Sequence, residues 1–127
     1  MAEVERNEIL VADDEEEIRR GVVEAVREIF PDLNIHEATL AHEALRALHL
    51  FGDRLFLVIS DGEMGGNTNA GTMVTNSAHE KGIPNIAYHS SAANVMRRKL
   101  EPSGTKCIQK EPGNTTLKQW LRDIRHS

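Results

Sequence analysis

The chain has 127 residues, a formal charge of −5 and a single cysteine, Cys107. That length suits one domain able to bury roughly two-thirds of the surface its unfolded form would expose, and one cysteine excludes an internal disulfide. No apolar run is long enough to cross a bilayer and no arginine-flanked signal core is present, so a cytoplasmic protein without membrane association is expected.

The first predicted strand is the apolar run Ile9-Leu10-Val11, which ends at the acid pair Asp13-Asp14. Ile18, Val22, Ala25, Val26 and Ile29 then recur at helical spacing until Pro31 stops the pattern. Leu33, Ile35 and Glu37-Ala38 read as a short, half-buried strand. Ala41, Ala44, Leu45 and Leu48 give a second helix closed by Gly52.

Leu55 to Ser60 is the third strand, and its five consecutive apolar residues suggest a central position covered on both faces. It stops at Asp61. A loop rich in glycine and asparagine, from Gly62 to Gly71, leads to a helix through Met73, Val74 and Ala78 and should be mobile. Gly82 and Pro84 precede a fourth strand, Asn85 to His89.

Ala92, Val95, Met96 and Leu100 mark a fourth helix, closed by Pro102-Ser103-Gly104. Thr105 to Ile108 is the fifth strand and ends near Lys110, and Leu117, Trp120, Leu121 and Ile124 make the last helix. Strands alternating with helices argue for an α/β domain with a five-stranded parallel sheet, doubly wound. Five such units use all 127 residues, so a single domain over 1–127 is expected.

In such a fold, sites form beyond the carboxyl ends of the strands, at the point where strand order reverses. There Asp13, Asp14 and Asp61 would crowd together, and like charges so close repel unless a cation or proton relieves them. A hard divalent ion such as Mg²⁺ suits an all-oxygen donor set. Carboxylates holding a metal beside Lys110 make a phosphoryl site.

In these residues the chain resembles the receiver domain of two-component response regulators, of the chemotaxis-regulator type. The resemblance spans about residues 7–126. It rests on Asp13-Asp14-Glu15 after the first strand, Asp61-Gly62-Glu63-Met64 after the third, Ser90 or a neighbour after the fourth, and Lys110 after the fifth.

It implies a flavodoxin-like three-layer sandwich, and a signalling phospho-acceptor rather than a turnover enzyme. Asp61 would take a phosphoryl group from a sensor histidine kinase or histidine phosphotransfer protein. Asp14, Asp61 and the Glu63 carbonyl would bind Mg²⁺, with Asp13 holding a metal-bound water. Lys110 would neutralise phosphoryl oxygens. The Ser90 hydroxyl would bond the phosphoryl group, although counting from Pro84 lands on His89, and Ser91 is a further choice. The output would be contact with a downstream protein target, by a monomer or a phosphorylation-dependent dimer, through a basic face of Arg97, Arg98, Lys99, Lys118 and Arg122.

Four positions depart from the receiver pattern. Gly65 stands where receivers often have proline, and the loop after it is about two residues longer. Glu111 separates Lys110 from Pro112. Cys107 replaces the usual switching aromatic, with Tyr88 as a candidate substitute.

Competing readings rest on other residues. Eight bases fall within residues 96–127, and eight acids within 1–17. The bases are spread over two helices and a strand, so solvated faces are expected in place of direct nucleic acid binding. Six histidines without a cysteine partner read as ordinary surface residues. Glu15, Glu16 and Glu17 fit as first-turn acids. A degenerate receiver that only docks, and a small metal-dependent phosphatase, are the remaining alternatives; the second lacks an aspartate two residues after Asp13 or Asp61.

Overall fold

The computed structural model describes residues 5–127; Glu3 of the acidic N-terminal run lies outside them. Five parallel strands, β1 (Glu8–Ala12), β2 (Asn34–Ala38), β3 (Leu55–Asp61), β4 (Asn85–Ser90) and β5 (Lys106–Gln109), form one sheet in the order β2-β1-β3-β4-β5. The helices between and after them are α1 (Glu16–Ile29), α2 (Ala41–Phe51), α3 (Ala70–Glu80), α4 (Ala93–Leu100) and α5 (Thr115–Arg125). β3 lies at the centre of the sheet, as its continuous apolar run predicts.

Alternation along the strands sends side chains to two apolar layers. Ile9, Val11, Leu57, Ile59, Ala87 and Ile108 meet Val22, Val26 and Ile29 of α1 and Leu117 and Leu121 of α5. On the opposite face Leu10, Val58 and Ile86 meet Ala44 and Leu48 of α2 and Val74 and Ala78 of α3, while Ala93 and Leu100 of α4 pack on Tyr88 and Cys107. The result is a three-layer α/β sandwich. None of the described helices is long and apolar enough to cross a membrane.

Several predicted boundaries move. β3 and β4 each run one residue past their predicted ends, because Asp61 pairs with His89 and Ser90 with Gln109 in the strand register. Leu33 falls outside β2, its amide donating instead to the Phe30 carbonyl at 3.3 Å in a turn. β5 starts one residue later than predicted. In α4, Ala92 is the residue before the helix and Val95 is 80% exposed. Eight residues give this helix room to bury only Ala93 and Leu100.

The glycine-rich loop is tied down. Met64 and Asn67 exchange backbone hydrogen bonds of 3.3 and 3.0 Å, and the Met64 side chain is buried. Gly65 has φ +57°, a left-handed conformation closed to proline, and its amide donates to Asp14 Oδ2 at 2.9 Å. Such anchoring runs against the expectation of a mobile loop.

Candidate functional site

The carboxyl ends of β1, β3, β4 and β5 open together because the strand order reverses between β1 and β3. Asp13 follows β1 and is only 2% exposed. Its Oδ1 accepts the Glu15 amide at 2.9 Å, which fixes the turn into α1. Burial, the largest cause, and the nearby charge of Asp61 push the Asp13 carboxyl up to about 6, against the opposing pull of the Glu15 amide and Lys110.

Asp61, the last residue of β3, is 6% exposed. Lys110 follows β5, and its Nζ sits 3.2 Å from Asp13 Oδ2 and 3.0 Å from Asp61 Oδ1. Burial alone would lower the lysine; the two carboxylates overcome it and hold the ammonium above its usual range. One cation thus bridges two buried acids, leaving the pair short of positive charge.

Asp13, Asp14 and Glu15 each offer an oxygen within 4.8 Å of the others. An all-carboxylate set of this kind, with Asp13 driven toward protonation, fits a hard divalent cation. Glu15 belongs to this group as well as serving as the residue before α1, so only Glu16 and Glu17 are first-turn acids. Its contribution has no signature in the sequence beyond adjacency to the aspartates.

A cavity of about 400 Å³ opens beside these acids, lined by Asp14, Asp61, Glu63, Thr68, Ser90 and Lys110 among others. The structure therefore brings Asp14, Asp61, Glu63, Ser90 and Lys110 to one opening, with Asp13 beneath through its lysine contact. Glu63 is exposed, and Ser90 is 8% exposed. The Ser90 hydroxyl oxygen accepts the Ala92 amide at 3.0 Å.

The two candidates at the end of β4 point to different sides. His89 is the register partner of Asp61, yet its ring is 2% exposed and lines a separate cavity of about 450 Å³ with Glu17, Gly21 and the segment Glu111–Asn114. Burial first, then the Lys110 charge, drops its pKa to about 4, so it is neutral at physiological pH. The expectation of surface histidines fails for this residue. His36 and His79 are half-buried, His36 stacked on Phe51 with centroids 3.9 Å apart and His79 with its Nε2 2.6 Å from Thr105 Oγ1.

Cys107 is buried opposite Tyr88 in the register of β4 and β5, so the aromatic ring lies on β4 and the small side chain on β5. Two residues of the anticipated basic face are paired with acids. Lys118 turns toward α1 to pair with Glu28 at 3.4 Å, and Arg97 is held by Glu101 at 3.1 Å. α4 and α5 lie on opposite faces of the sheet and flank its edge strand β5.

No protein-family profile matches the sequence, and no curated protein matches it. Solved structures do. The Erythrobacter litoralis PhyR response regulator receiver domain is 17% identical, with 94% of this chain and 89% of that one covered and a TM-score of 0.72. The phosphorylated cyanobacterial phytochrome response regulator RcpA is 16% identical, with 95% and 92% covered and a TM-score of 0.68. The Mn²⁺-bound form of the response regulator Rcp1 is 16% identical, with 93% and 91% covered and a TM-score of 0.67. The chain has the fold of the receiver domains of two-component response regulators.

Proposed function

We propose that the chain is a phospho-acceptor receiver in which Asp61 takes a phosphoryl group from a phosphohistidine on a partner kinase or phosphotransfer protein. The observation that carries this reading is the Lys110 ammonium held between Asp13 and Asp61 at the mouth of the cavity. A carboxylate oxygen of Asp61 attacks phosphorus and forms an O–P bond. The P–N bond of the donor breaks, and its electron pair returns to the imidazole nitrogen. Little covalent machinery is needed, because phosphoryl transfer depends mainly on positioning and charge neutralisation.

Lys110 supplies a fixed positive charge for the phosphoryl oxygens, and the Ser90 hydroxyl a further donor lining the same cavity. Asp13, Asp14 and Asp61 with the Glu63 carbonyl would hold Mg²⁺, and Glu15 stands close enough to join them. The ion would neutralise charge building on the phosphoryl oxygens during transfer. The phosphorylated and Mn²⁺-bound forms of the two structural neighbours support this reading. Contact with a downstream protein would then carry the signal, in a cytoplasmic setting.

Incubation with acetyl phosphate or phosphoramidate and Mg²⁺, followed by intact mass measurement, tests the proposal. One added phosphoryl group that is lost in Asp61→Asn is expected. An unmodified protein at saturating donor would turn the reading to a docking module, and steady turnover of a phosphomonoester would turn it to a phosphatase.

A further inference from the structure

Tyr88 is the only tyrosine of the chain, and the backbone around the candidate site is shaped to receive it. Its ring is 6% exposed and packs against Ala93, Leu100 and Cys107. Two glycines come down on it directly. A β-carbon at Gly62 would collide with the Tyr88 hydroxyl and lie 2.8 Å from Cζ, while one at Gly71 would lie 2.7 Å from Cε2. The Gly71 amide donates to the Gly62 carbonyl at 3.0 Å, so the two ends of the β3-α3 loop are joined over the ring.

This clamp brings the Tyr88 hydroxyl to the first residue after Asp61. Ser90 Oγ lies at the same spot, 3.1 Å from the β-carbon position of Gly62. A serine hydroxyl has two acceptor lone pairs and one proton. One lone pair takes the Ala92 amide. If the Tyr88 hydroxyl takes the other, the Ser90 proton is left free to donate. Burial keeps the Tyr88 hydroxyl protonated beyond the usual tyrosine range, with the Ser90 hydroxyl as a smaller opposing influence, so it remains a donor at neutral pH. Both residues line the cavity that holds Asp61 and Lys110.

We infer that Tyr88 is a positioning residue: clamped by Gly62 and Gly71, its hydroxyl donates to Ser90 Oγ and so directs the Ser90 proton toward an oxygen carried on Asp61. This inference rests on the acceptor reading of Asp61. Tyr88 acts through Ser90 and touches no reacting atom.

The test is a double-mutant cycle of Tyr88→Phe, Ser90→Ala and the double variant, read as the rate of acyl phosphate formation from acetyl phosphate at saturating Mg²⁺. Tyr88→Phe should slow the reaction by about three- to tenfold, the range set by one neutral hydrogen bond. It should have no further effect once Ser90 is alanine. Independently of phosphorylation, the ¹³Cζ resonance of this single tyrosine should shift in Ser90→Ala. Equal slowing in both backgrounds, an unchanged rate in Tyr88→Phe, or an unmoved Cζ resonance would overturn the inference. A wild-type protein that takes no phosphoryl group fails earlier and defeats the acceptor reading itself, whereas a phosphorylated wild type with an additive cycle defeats only the role of Tyr88.

Discussion

Asp13 and His89 place opposite demands on stability as pH changes. Asp13 is raised from 3.8 to about 6, so the stability tied to its neutral form is present below pH 4 and lost as pH rises through 6. His89 is lowered from 6.5 to about 4, so its contribution is present above pH 6.5 and lost as pH falls toward 4. Each shift corresponds to about 3 kcal/mol at most, and over this window the two largely offset. Denaturant unfolding of the metal-free protein should therefore vary little from these two groups between pH 4 and 6.5. Asp13→Asn should leave stability rising with pH and add about 1–3 kcal/mol at pH 7. His89→Gln should leave it falling with pH. Mg²⁺ should stabilise the wild type at pH 7 by binding only the folded form, and do so far less in Asp13→Asn. Equal pH slopes in all three proteins would contradict the assignment. The aspartates and Lys110 were legible because each follows an apolar run that ends at one edge of the sheet. The burial of His89 was not, since alternation at a strand end depends on a register that only the neighbouring strands fix.

The loop between β3 and α3 governs the site more closely than its composition suggests. Gly and Asn content reads as slackness, but the loop carries its own backbone bonds and a direct bond to Asp14. Gly71 stands at the second position of α3, where an added β-carbon would lie 2.6 Å from the Asp61 carbonyl oxygen and 2.6 Å from Gly62 Cα. Gly71→Ala must push backbone away from backbone, and a loss of about 1–3 kcal/mol in denaturant unfolding is expected. Gly66→Ala meets no atom within 4 Å and faces only the cost of its φ of +78°, about 1 kcal/mol. A smaller loss for Gly71→Ala than for Gly66→Ala would contradict this packing. α4 shows a limit of periodicity: in eight residues, Val95 fits a helical repeat and still faces solvent.

Across the molecule, the order of strands and helices was readable because each strand-helix unit has its own apolar period and a breaker such as Pro31, Gly52 or Gly104. Charge pairing was not, since Lys118 and Arg97 have each found an acid that their position in the sequence does not announce. Arg97 and Lys118 therefore bring less free charge to the surface around α4 and α5 than their presence in the sequence suggests. What the whole fold does bring together is one half-buried lysine and two buried acids from three strand ends.

The most direct test of that convergence is to trap the modified protein with borohydride, which reduces an acyl phosphate to the alcohol, and to map the altered residue by peptide mass. Reduction at residue 61 alone, dependent on Mg²⁺ and strongly diminished in Lys110→Ala, is the predicted result. Reduction at Asp13 or Asp14, or at no residue after treatment with a phosphoryl donor, would contradict the assignment of Asp61 as the acceptor.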